Sequence, residues 1–589
     1  MHLRLHNTLT KRVEDFVPID ATHITFYSCG PTVYDDAHIG NFRSFLAADV
    51  LRRFVESPLC TLRTNEGSKH DGSTQTSSTH DGPRRVTHVM NITDVGHMTD
   101  DAEGGETGED KMAVAGRRLL EAKKAGTLPA GVEVNPSDPH QIARFYEARF
   151  KEDARQLGLK LAIEAVNDPS LMPRATESIQ GMIAVIARLI EGNYAYVVGE
   201  AGSRVVYFDV RTFPTYGSLS GNTLDALKEG EGGRISATNQ AQKRSPADFL
   251  LWKEDRTHVM KWMSPWGEGY PGWHIECTAM SIARLLTNSE IGHAGHAGHA
   301  GHAAHAGSVH AESMQPTLAH AADLTRLSLP TGSAIIDLHS GGEDNIFPHH
   351  ECEIAQSCCG FTGGTGSFAR TWFHPRFLLV EGTKMSKSKG NFFTARDLFA
   401  KGIEPAAVRL ELIRTHYRAN ANFTMQGLDD CRRMVERWRR VVDAHPVSLA
   451  HGHHADAAST LDSMREHPLA REFALAMHED LNVAQAVAAV NGWLNTLGVP
   501  TRADSDVLRM IDGVLGVLEL ERPKANVTEI AAYAPGVTPD PKIEELLTLR
   551  RDARAKKDFV TSDRIRDELQ AMGLAIKDSA GGKVDVRRA

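Results

Sequence analysis

Four side chains in three distant segments of the chain have the chemistry of one metal site, and any fold must bring them together. Cys29 ends an apolar stretch with the pattern of a strand, and Cys277 lies far downstream. His349 and Glu353 follow Pro348, a residue that favours the first turn of a helix, and their i, i+4 spacing places both side chains on one helical face. Two thiolates, an imidazole and a carboxylate are typical ligands of tetrahedral zinc. We therefore predict a metal site made by Cys29, Cys277, His349 and Glu353.

A phosphate-binding signature follows the Cys29 strand through a short loop. The stretch His38-Ile39-Gly40-Asn41 opens a segment with helical periodicity, so it stands at the N-terminus of a helix that follows a strand. The free N–H groups and the helix dipole favour an anion at that position. His38 can donate a hydrogen bond to a phosphate oxygen, and Gly40 allows a nucleotide to approach the backbone.

A second phosphate signature lies in the later half of the chain. The stretch 384–388 reads Lys-Met-Ser-Lys-Ser and is followed by Lys-Gly-Asn. Two lysines with a serine between them, in a loop flanked by glycine, suit a mobile clamp on a polyphosphate. The predicted ATP ligands are His38, Gly40, Asn41, Lys384, Ser386 and Lys387, and the predicted catalytic residues are His38, Asn41, Lys384 and Lys387.

Each signature has a structural alternative when it is taken alone. A His-x-Gly-Asn stretch is common in turns, the lysine loop can be an ordinary solvated loop, and a cysteine at the end of a strand is usually a small core residue. His349 beside His350 can act as a capping pair. These alternatives do not explain why all the elements occur in one order, each beside a glycine or proline turn. The combination therefore favours a metal centre inside a nucleotide-using active site.

Length and composition limit the class of protein. At 589 residues the chain is long enough for roughly three to five domains. A hydrophobic content of 41% and a charged content of 24% are typical of a soluble globular protein. The net charge of −9 excludes a uniformly basic nucleic-acid-binding surface, so RNA contacts need local basic patches. The seven scattered cysteines suit a reducing cytoplasm, and neither a membrane-spanning apolar run nor a signal-peptide core is found.

The order of these motifs resembles that of the class I aminoacyl-tRNA synthetases, and specifically of the cysteinyl-tRNA synthetases. The resemblance runs from residue 3 to the C-terminus, apart from inserts. The matching stretches are 29–35 (CGPTVYD), 38–41 (HIGN), 91–94 (NITD), 248–253 (DFLLWK), 264–267 (SPWG), 271–277 (PGWHIEC), 347–357 (FPHHECEIAQS) and 384–388 (KMSKS). The two phosphate signatures indicate an adenylate-forming synthetase, and the metal set with the WHIEC stretch indicates cysteine as the amino acid.

The resemblance implies a specific reaction. Cysteine and ATP would form cysteinyl-adenylate and pyrophosphate, and the cysteinyl group would then pass to the terminal adenosine of the tRNA for cysteine, at its 2′-hydroxyl. The resemblance also implies one Zn²⁺ per chain, Mg²⁺ with ATP, a cytoplasmic location, no membrane and a monomeric protein. It assigns the amino-acid pocket to Thr32, Thr93, Trp273 and His339.

The need to reject serine gives an independent reason for the metal. Cysteine and serine differ by one sulfur-to-oxygen change, and packing discriminates at that scale by only about 1–3 kcal/mol. Zinc binds a soft thiolate well and lowers the pKa of the thiol, whereas a serine hydroxyl stays protonated and binds weakly. We expect the substrate sulfur to join the zinc ligands, which makes an editing domain unnecessary.

The fold class predicted is α/β, with a Rossmann-like nucleotide-binding catalytic domain, a connective insertion, a helical bundle and a small C-terminal domain. The predicted domains, named by resemblance, are 1–115 (first catalytic half, with a polar insert at 57–84), 116–245 (connective insertion), 246–395 (second catalytic half, with a His-Ala-Gly insert at 288–333), 396–445 (stem-contact-like helical region), 446–530 (tRNA-binding helical bundle) and 541–589 (anticodon-side domain). The stretch 57–83 is expected to be disordered, 100–110 to be flexible, and 446–459 and 521–541 to be linkers.

Two further segments have open alternatives. The His-Ala-Gly repeat at 293–307 can bind metal, but expansion of a low-complexity loop is the simpler interpretation. A loop of this length closes at small entropic cost, so the metal site can tolerate it. The arginines of the predicted helix 425–444 either contact tRNA phosphates or form an ordinary solvated face. They are Arg432, Arg433, Arg437, Arg439 and Arg440.

Two positions depart from the family pattern, and rival functions remain. Asn41 stands where the class often has a second histidine, and Tyr270 stands where many relatives have arginine, so both leave the ATP affinity open. The nearest rival passes cysteine to an amino-sugar acceptor in thiol biosynthesis, but such relatives lack a helical region like 425–589. A non-catalytic zinc-containing RNA-binding relative is a rival of another class, and the intact lysine loop argues against it. Metal storage by the His-Ala-Gly repeat would explain neither phosphate signature.

Overall fold

The computed structural model describes the chain in several stretches. The described residues are 2–65, 77–80, 82, 84–98, 108–126, 128, 133–222, 242–286, 324, 327, 329–385, 390–446, 457–522, 526–533, 537, 539–579 and 583–588. The His-Ala-Gly repeat, most of the acidic segment 100–110 and the centre of the polar insert lie outside them, so what the sequence predicts there stays a prediction. Among the helices of the described stretches, none combines the length and apolarity needed to cross a membrane.

Strands and helices alternate in the first two thirds of the chain, and helices dominate afterwards. The elements are β1 (Arg4–Asn7), β2 (Arg12–Asp15), β3 (His23–Ser28), α1 (Ile39–Glu56), β4 (Leu62–Asn65), β5 (Ser77–His80), β6 (Arg85–Met90), α2 (Lys111–Lys124), α3 (Pro139–Gln156), α4 (Lys160–Glu164), α5 (Ile179–Glu191), β7 (Ala195–Val198), β8 (Val205–Phe208), β9 (Phe249–Glu254), β10 (Gly269–Pro271), α6 (Trp273–Leu285), β11 (Ala334–Ser340), α7 (Glu351–Phe361), β12 (Ser367–Phe373), β13 (Leu378–Val380), β14 (Thr383–Lys384), α8 (Ala395–Ala400), α9 (Pro405–Ile413), β15 (Ala421–Phe423), α10 (Met425–Ala444), α11 (Ala457–Glu466), α12 (Pro468–His478), α13 (Val483–Thr496), α14 (Arg502–Leu515), β16 (Asn526–Val527), β17 (Ala531–Tyr533), α15 (Pro541–Ala555), α16 (Phe559–Ala571), β18 (Leu574–Asp578) and β19 (Val584–Arg588).

A four-stranded parallel sheet forms the framework of the candidate site. Its strand order is β12-β11-β3-β6, and every neighbouring pair is parallel. The strand–helix–strand unit predicted for the start of the chain corresponds to β3, α1 and β6. Strands β11 and β12 come from the later half of the chain, so one sheet unites both predicted catalytic halves. The predicted α/β, Rossmann-like fold class is thereby confirmed.

The helical part of the chain follows the predicted pattern closely. Helix α10 spans Met425–Ala444, as its amphipathic stretch predicts. The four helices α11 to α14 occupy the region in which three or four bundle helices are expected. The C-terminal part has the two expected helices, α15 and α16, followed by two strands.

Two segments differ from the expectation of irregular structure. Strands β4 and β5 pair antiparallel, so both ends of the stretch expected to be disordered are strands. Strands β16 and β17 belong to a four-stranded sheet with β19 and β18, although the sequence predicts a linker there. All four of the unexpected strands are at most four residues long, too short for a periodic hydrophobic pattern to stand out.

A buried ion pair joins helix α1 to the helical region. Nη2 of Arg409 donates to Oδ2 of Asp49 at 2.6 Å, and Nε of Arg409 donates to the carbonyl of Leu515 at 2.6 Å. Burial alone would raise the pKa of Asp49, but the guanidinium groups of Arg53 and Arg409 hold that pKa well below its ordinary value. A lowered folded-state pKa stabilises the fold above the unfolded-state pKa, and the stabilisation is lost as the pH falls.

The variant Asp49→Ala is expected to lose about 3–5 kcal/mol in the free energy of unfolding, because it leaves a buried guanidinium without its carboxylate. Urea unfolding followed by tryptophan fluorescence measures this loss, and the difference from wild type should narrow below about pH 4. The control is Asp443→Ala, because Asp443 pairs with Arg522 at 2.8 Å but both side chains are half exposed. That exposed pair should contribute at most about 1 kcal/mol. Equal losses in the free energy of unfolding in the two variants would contradict a larger contribution from the buried ion pair.

Candidate metal centre and nucleotide site

The candidate site lies at the carboxyl ends of the parallel strands. Cys29 follows β3, and His339 is the penultimate residue of β11. Asn91 follows β6, and His374 follows β12. Because parallel strands end at the same edge of a sheet, the residues after them converge there. The strand order therefore collects polar side chains from both halves of the chain at one edge.

The four metal ligands predicted from the sequence lie together. Sγ of Cys29 is 3.9 Å from Sγ of Cys277 and 3.5 Å from Oε1 of Glu353. Nε2 of His349 is 3.0 Å from the same Oε1. All four side chains are buried, and their candidate ligand atoms lie within 4.8 Å of one another. Two sulfurs about 2.3 Å from one zinc at the tetrahedral angle would stand about 3.8 Å apart, so the sulfur spacing fits that metal.

The helix that carries His349 and Glu353 begins later than its proline suggests. A π-helical turn spans Ile346–His350, and α7 continues from Glu351. The two side chains still share one face, because the turn runs directly into the helix and keeps their spacing close to one helical repeat.

The pKa values of the cluster show which of its ligands would release a proton to a metal. Burial alone would raise the pKa of Glu353, but the imidazoles of His339 and His349 hold that pKa at about 2, so Glu353 is a carboxylate. Burial lowers the pKa of His349, but Glu353 and Cys277 raise it to about 10. Burial raises the pKa of the Cys29 thiol well above its ordinary value. Cys29 and His349 therefore hold protons that a divalent metal would displace, whereas Glu353 is already ionised, so the donor set fits such an ion.

A shell of further imidazoles surrounds the ligands, and sequence reasoning missed it. Nδ1 of His274 lies 2.9 Å from Nδ1 of His349. Nε2 of His350 lies 3.2 Å from Sγ of Cys29, and its Nδ1 lies 2.7 Å from Nε2 of His374. Partners of this kind orient metal ligands. The adjacency of His349 and His350 was the one sequence signal that could have indicated the shell.

A second group of four side chains could also hold an ion. Cys29 and Glu353 belong to it together with His339 and His350, and again the ligand atoms lie within 4.8 Å of one another. This group offers one thiolate, whereas the group with Cys277 offers two. The preference of zinc for soft sulfur ligands favours the group predicted from the sequence.

Two of the residues that the resemblance assigns to an amino-acid pocket contact the cluster, and the other two pair with each other. Thr32 and Thr93 pair through their backbones. The ring centroid of Trp273 lies 4.3 Å from that of His349. Nε2 of His339 lies 2.8 Å from Oε2 of Glu353. The structure thus brings Trp273 and His339 to the metal cluster, and the contact of all four residues with cysteine stays a prediction.

The first phosphate signature forms the N-terminus of α1, and its histidine has a fixed tautomer. Nδ1 of His38 accepts a hydrogen bond from the backbone N–H of Asn41 at 3.1 Å. Oδ1 of Asn41 accepts from the backbone N–H of His38 at 3.1 Å, which completes a capping box. Because Nδ1 is the acceptor, Nε2 of the neutral ring carries the hydrogen. Both predicted residues therefore build the helix terminus, and the hydrogen of the His38 ring lies on the nitrogen that does not cap the helix.

Both sides of the lysine loop contact this turn. A Cβ atom at Gly40 would lie 2.9 Å from the ring of His38 and 3.1 Å from Cε of Met385, so both side chains pack closely against the Gly40 backbone. On the other side of the loop, the N–H of Ile39 donates to the carbonyl of Phe393 at 3.0 Å. The two phosphate signatures are therefore adjacent in space.

The lysine loop is only partly described. Strand β14 ends at Lys384, whose Nζ lies 5.8 Å from the ring centroid of Phe377. Residues 386–389 lie outside the described residues, so the ATP contacts of Ser386 and Lys387 stay predictions.

The structure gives physical reasons for two other sequence observations. Tyr270 lies in β10 and is buried. Its ring stacks on that of His258 with centroids 3.9 Å apart, so its role is in packing. Arg439 of α10 is also buried, and its Nη1 donates to Oε2 of Glu404 at 2.7 Å. Arg439 is therefore a structural residue, and the hypothesis of phosphate contacts is confined to the exposed arginines of that helix.

Comparisons with known proteins agree along the chain. The family described as "tRNA synthetases class I (C) catalytic domain" matches residues 15–61, 82–310 and 325–433. The family described as "Cysteinyl-tRNA ligase anticodon binding domain" matches residues 539–587. The cysteine–tRNA ligase of Salinibacter ruber is 35% identical over 99% of this chain and 98% of its own length. Those of Chlorobaculum tepidum and Thermus thermophilus are 33% and 34% identical, over 98% and 99% of this chain and 98% of each relative.

Proposed function

The chain belongs to the class I cysteine–tRNA ligases, and we propose that it joins L-cysteine to the tRNA for cysteine in an ATP-dependent reaction through cysteinyl-adenylate. One observation carries the proposal: the buried cluster of two cysteines, a histidine and a glutamate lies beyond the same strand, β3, as the His38 helix terminus. A thiol-selective metal site beside a phosphate-binding helix N-terminus suits the activation of cysteine by ATP.

The proposed metal is Zn²⁺, one per chain, held by Cys29, Cys277, His349 and Glu353. The support is the donor set with its sulfur spacing of 3.9 Å. When bound there, zinc supplies a Lewis acid that prefers the cysteine thiolate to the serine hydroxyl. The side chains proposed to hold the rest of the amino acid are Thr32, Thr93, Trp273 and His339.

The proposed first step uses the two phosphate signatures. The Nε2–H of His38 and the positive end of the α1 dipole bind the phosphates of ATP, Gly40 lets them approach the backbone, and Asn41 is the cap that orders this turn. Lys384 and Lys387 neutralise charge from the opposite side, and Mg²⁺ accompanies ATP. A carboxylate oxygen of cysteine attacks the α-phosphorus in line, and the bond to pyrophosphate breaks. Such a transfer needs positioning and charge neutralisation more than a general base.

The proposed acceptor is tRNA, at the 2′-hydroxyl of the terminal adenosine, and AMP is released. The match of residues 539–587 to an anticodon-binding domain supports tRNA over an amino-sugar acceptor. We propose that the protein acts as a monomer in the cytoplasm, and the lack of disulfides among its seven cysteines suits such a reducing compartment.

Pyrophosphate exchange tests the proposal on the full chain. ATP–pyrophosphate exchange is expected with L-cysteine, and on the order of 10⁴-fold less exchange with L-serine, because the site selects a thiolate. Transfer of cysteine should then occur to tRNA and not to glucosamine. Exchange followed by transfer to the amino sugar would favour the thiol-biosynthesis rival. RNA binding without exchange would favour a non-catalytic zinc-containing relative.

A further inference from the structure

A chain of hydrogen bonds connects the two cysteines of the metal cluster through the amino-acid pocket. It begins beside Cys29, where the N–H of Gly30 donates to Oδ1 of Asn91 at 2.7 Å. Nδ2 of Asn91 lies 3.0 Å from Oγ1 of Thr93. Oγ1 of Thr93 lies 2.9 Å from Oε2 of Glu276, the residue before Cys277 in the sequence.

The groups at the two ends of this series of hydrogen bonds fix the direction of every donor in it. The backbone N–H of Gly30 can only donate, so the amide oxygen of Asn91 faces it and the amide NH₂ faces Thr93. At the other end the carboxylate of Glu276 can only accept, so the hydroxyl hydrogen of Thr93 points to Glu276. The second carboxylate oxygen, Oε1, is 2.5 Å from Nε2 of His97, which therefore carries the hydrogen.

Thr93 is consequently left with one lone pair and no hydrogen to give. A hydroxyl has one hydrogen and two acceptor positions, and Asn91 and Glu276 use the hydrogen and one acceptor position. The remaining position can only accept. Of the polar groups of cysteine, the carboxylate is an acceptor and the sulfur faces the metal cluster, so the α-ammonium is the group with hydrogens to donate.

We propose that Glu276 is a positioning residue that sets the polarity of Thr93, so that the Thr93 hydroxyl accepts a hydrogen bond from the α-ammonium group of cysteine. This assignment rests on the proposed activation of cysteine. It extends the site from selection of the sulfur to selection of the amino end of the substrate.

The isosteric variant Glu276→Gln tests this, because it should reverse the polarity. With the hydrogen of His97 kept on Nε2, the amide oxygen of the new glutamine faces His97, which leaves the amide NH₂ facing Thr93. With donors on both sides, Thr93 must point its own hydrogen at the substrate. The probe is 3-mercaptopropionate, which is cysteine without its ammonium group. The measured quantity is the ratio of the Kd of 3-mercaptopropionate to that of cysteine, from calorimetric titration of the zinc-loaded full chain.

We expect this ratio to fall by roughly tenfold or more in Glu276→Gln, since a charge-assisted hydrogen bond is lost. In a Thr93→Val background the same substitution should change the ratio by less than about twofold, because the hydroxyl it acts through is gone. The control is Glu351→Gln. Glu351 is equally buried and flanks metal ligands in the sequence, but it accepts from the backbone N–H of Ser220 at 2.9 Å.

The outcomes separate the two proposals. A ratio that falls in Glu276→Gln but not in Glu351→Gln supports the inference. An unchanged ratio in Glu276→Gln, or an equal fall in the Thr93→Val background, overturns it while leaving cysteine activation intact. Absence of cysteine-dependent exchange in the wild type would overturn both, because the pocket would then have another substrate.

Discussion

Zinc content is expected to fall from one ion per chain to near zero in Cys277→Ser, and cysteine-dependent pyrophosphate exchange to fall by at least about 100-fold. This magnitude is expected because even the loss of a residue that only hydrogen-bonds to a metal ligand typically costs about 10–100-fold in metal affinity or activity. The buried serine hydroxyl stays protonated and cannot replace a thiolate. Metal analysis after dialysis against a weak chelator and exchange assays on the same samples measure the two effects. The His-Ala-Gly repeat is present in both proteins, so adventitious metal on it cancels in the comparison.

The matched control for this prediction is Cys431→Ser. Cys431 is fully buried in α10, and its Sγ lies 3.2 Å from Oε2 of Glu411, a partner that a serine hydroxyl can keep. Zinc content should stay at one per chain and exchange within about threefold of wild type, as for a conservative change away from the site.

The same experiment distinguishes the two possible ligand groups. Cys277→Ser leaves the second group of Cys29, His339, His350 and Glu353 intact. Retention of zinc in Cys277→Ser, with loss in His350→Asn, would assign the ion to that second group and contradict the set predicted from the sequence. Loss of zinc in Cys277→Ser would assign it to the two-thiolate group.

Pyrophosphate exchange is expected to fall about 100- to 1,000-fold in His38→Asn, with little change in the free energy of unfolding. Asparagine is among the best residues at a helix N-cap, so the cap of α1 survives. What disappears is the Nε2–H donor, and removal of one preorganised donor to developing charge typically costs that much in rate. Exchange kinetics and urea unfolding on one preparation measure both quantities.

The companion variant His38→Ala separates capping from catalysis. It should lose a similar amount of exchange and, in addition, about 1 kcal/mol of stability, because the N–H of Asn41 loses its acceptor. If His38→Asn keeps wild-type exchange, the role of His38 is the cap alone, and the phosphate donor must be sought elsewhere in the turn.

Features that depend on neighbouring residues could be read from the sequence. The i, i+4 spacing of His349 and Glu353 predicted a shared face, and their ligand atoms lie 3.0 Å apart. The amphipathic pattern of α10 predicted its helix over the observed range. The residue types of the metal set predicted zinc chemistry, because thiolate and imidazole have few other shared roles. Motif order predicted the family.

Only the tertiary structure decided which distant groups meet. The strand order β12-β11-β3-β6 brings His374, His339, Cys29 and Asn91 to one edge, and no pattern within a single strand encodes that order. The hydrogen bond between the side chains of Thr93 and Glu276 joins residues that are 183 positions apart in the sequence. Periodicity reports which face of an element is buried, but the partner on the other side is chosen by the packing of whole elements around the core. The types of ligand could therefore be predicted from the sequence, whereas the hydrogen bonds around them were decided by the fold.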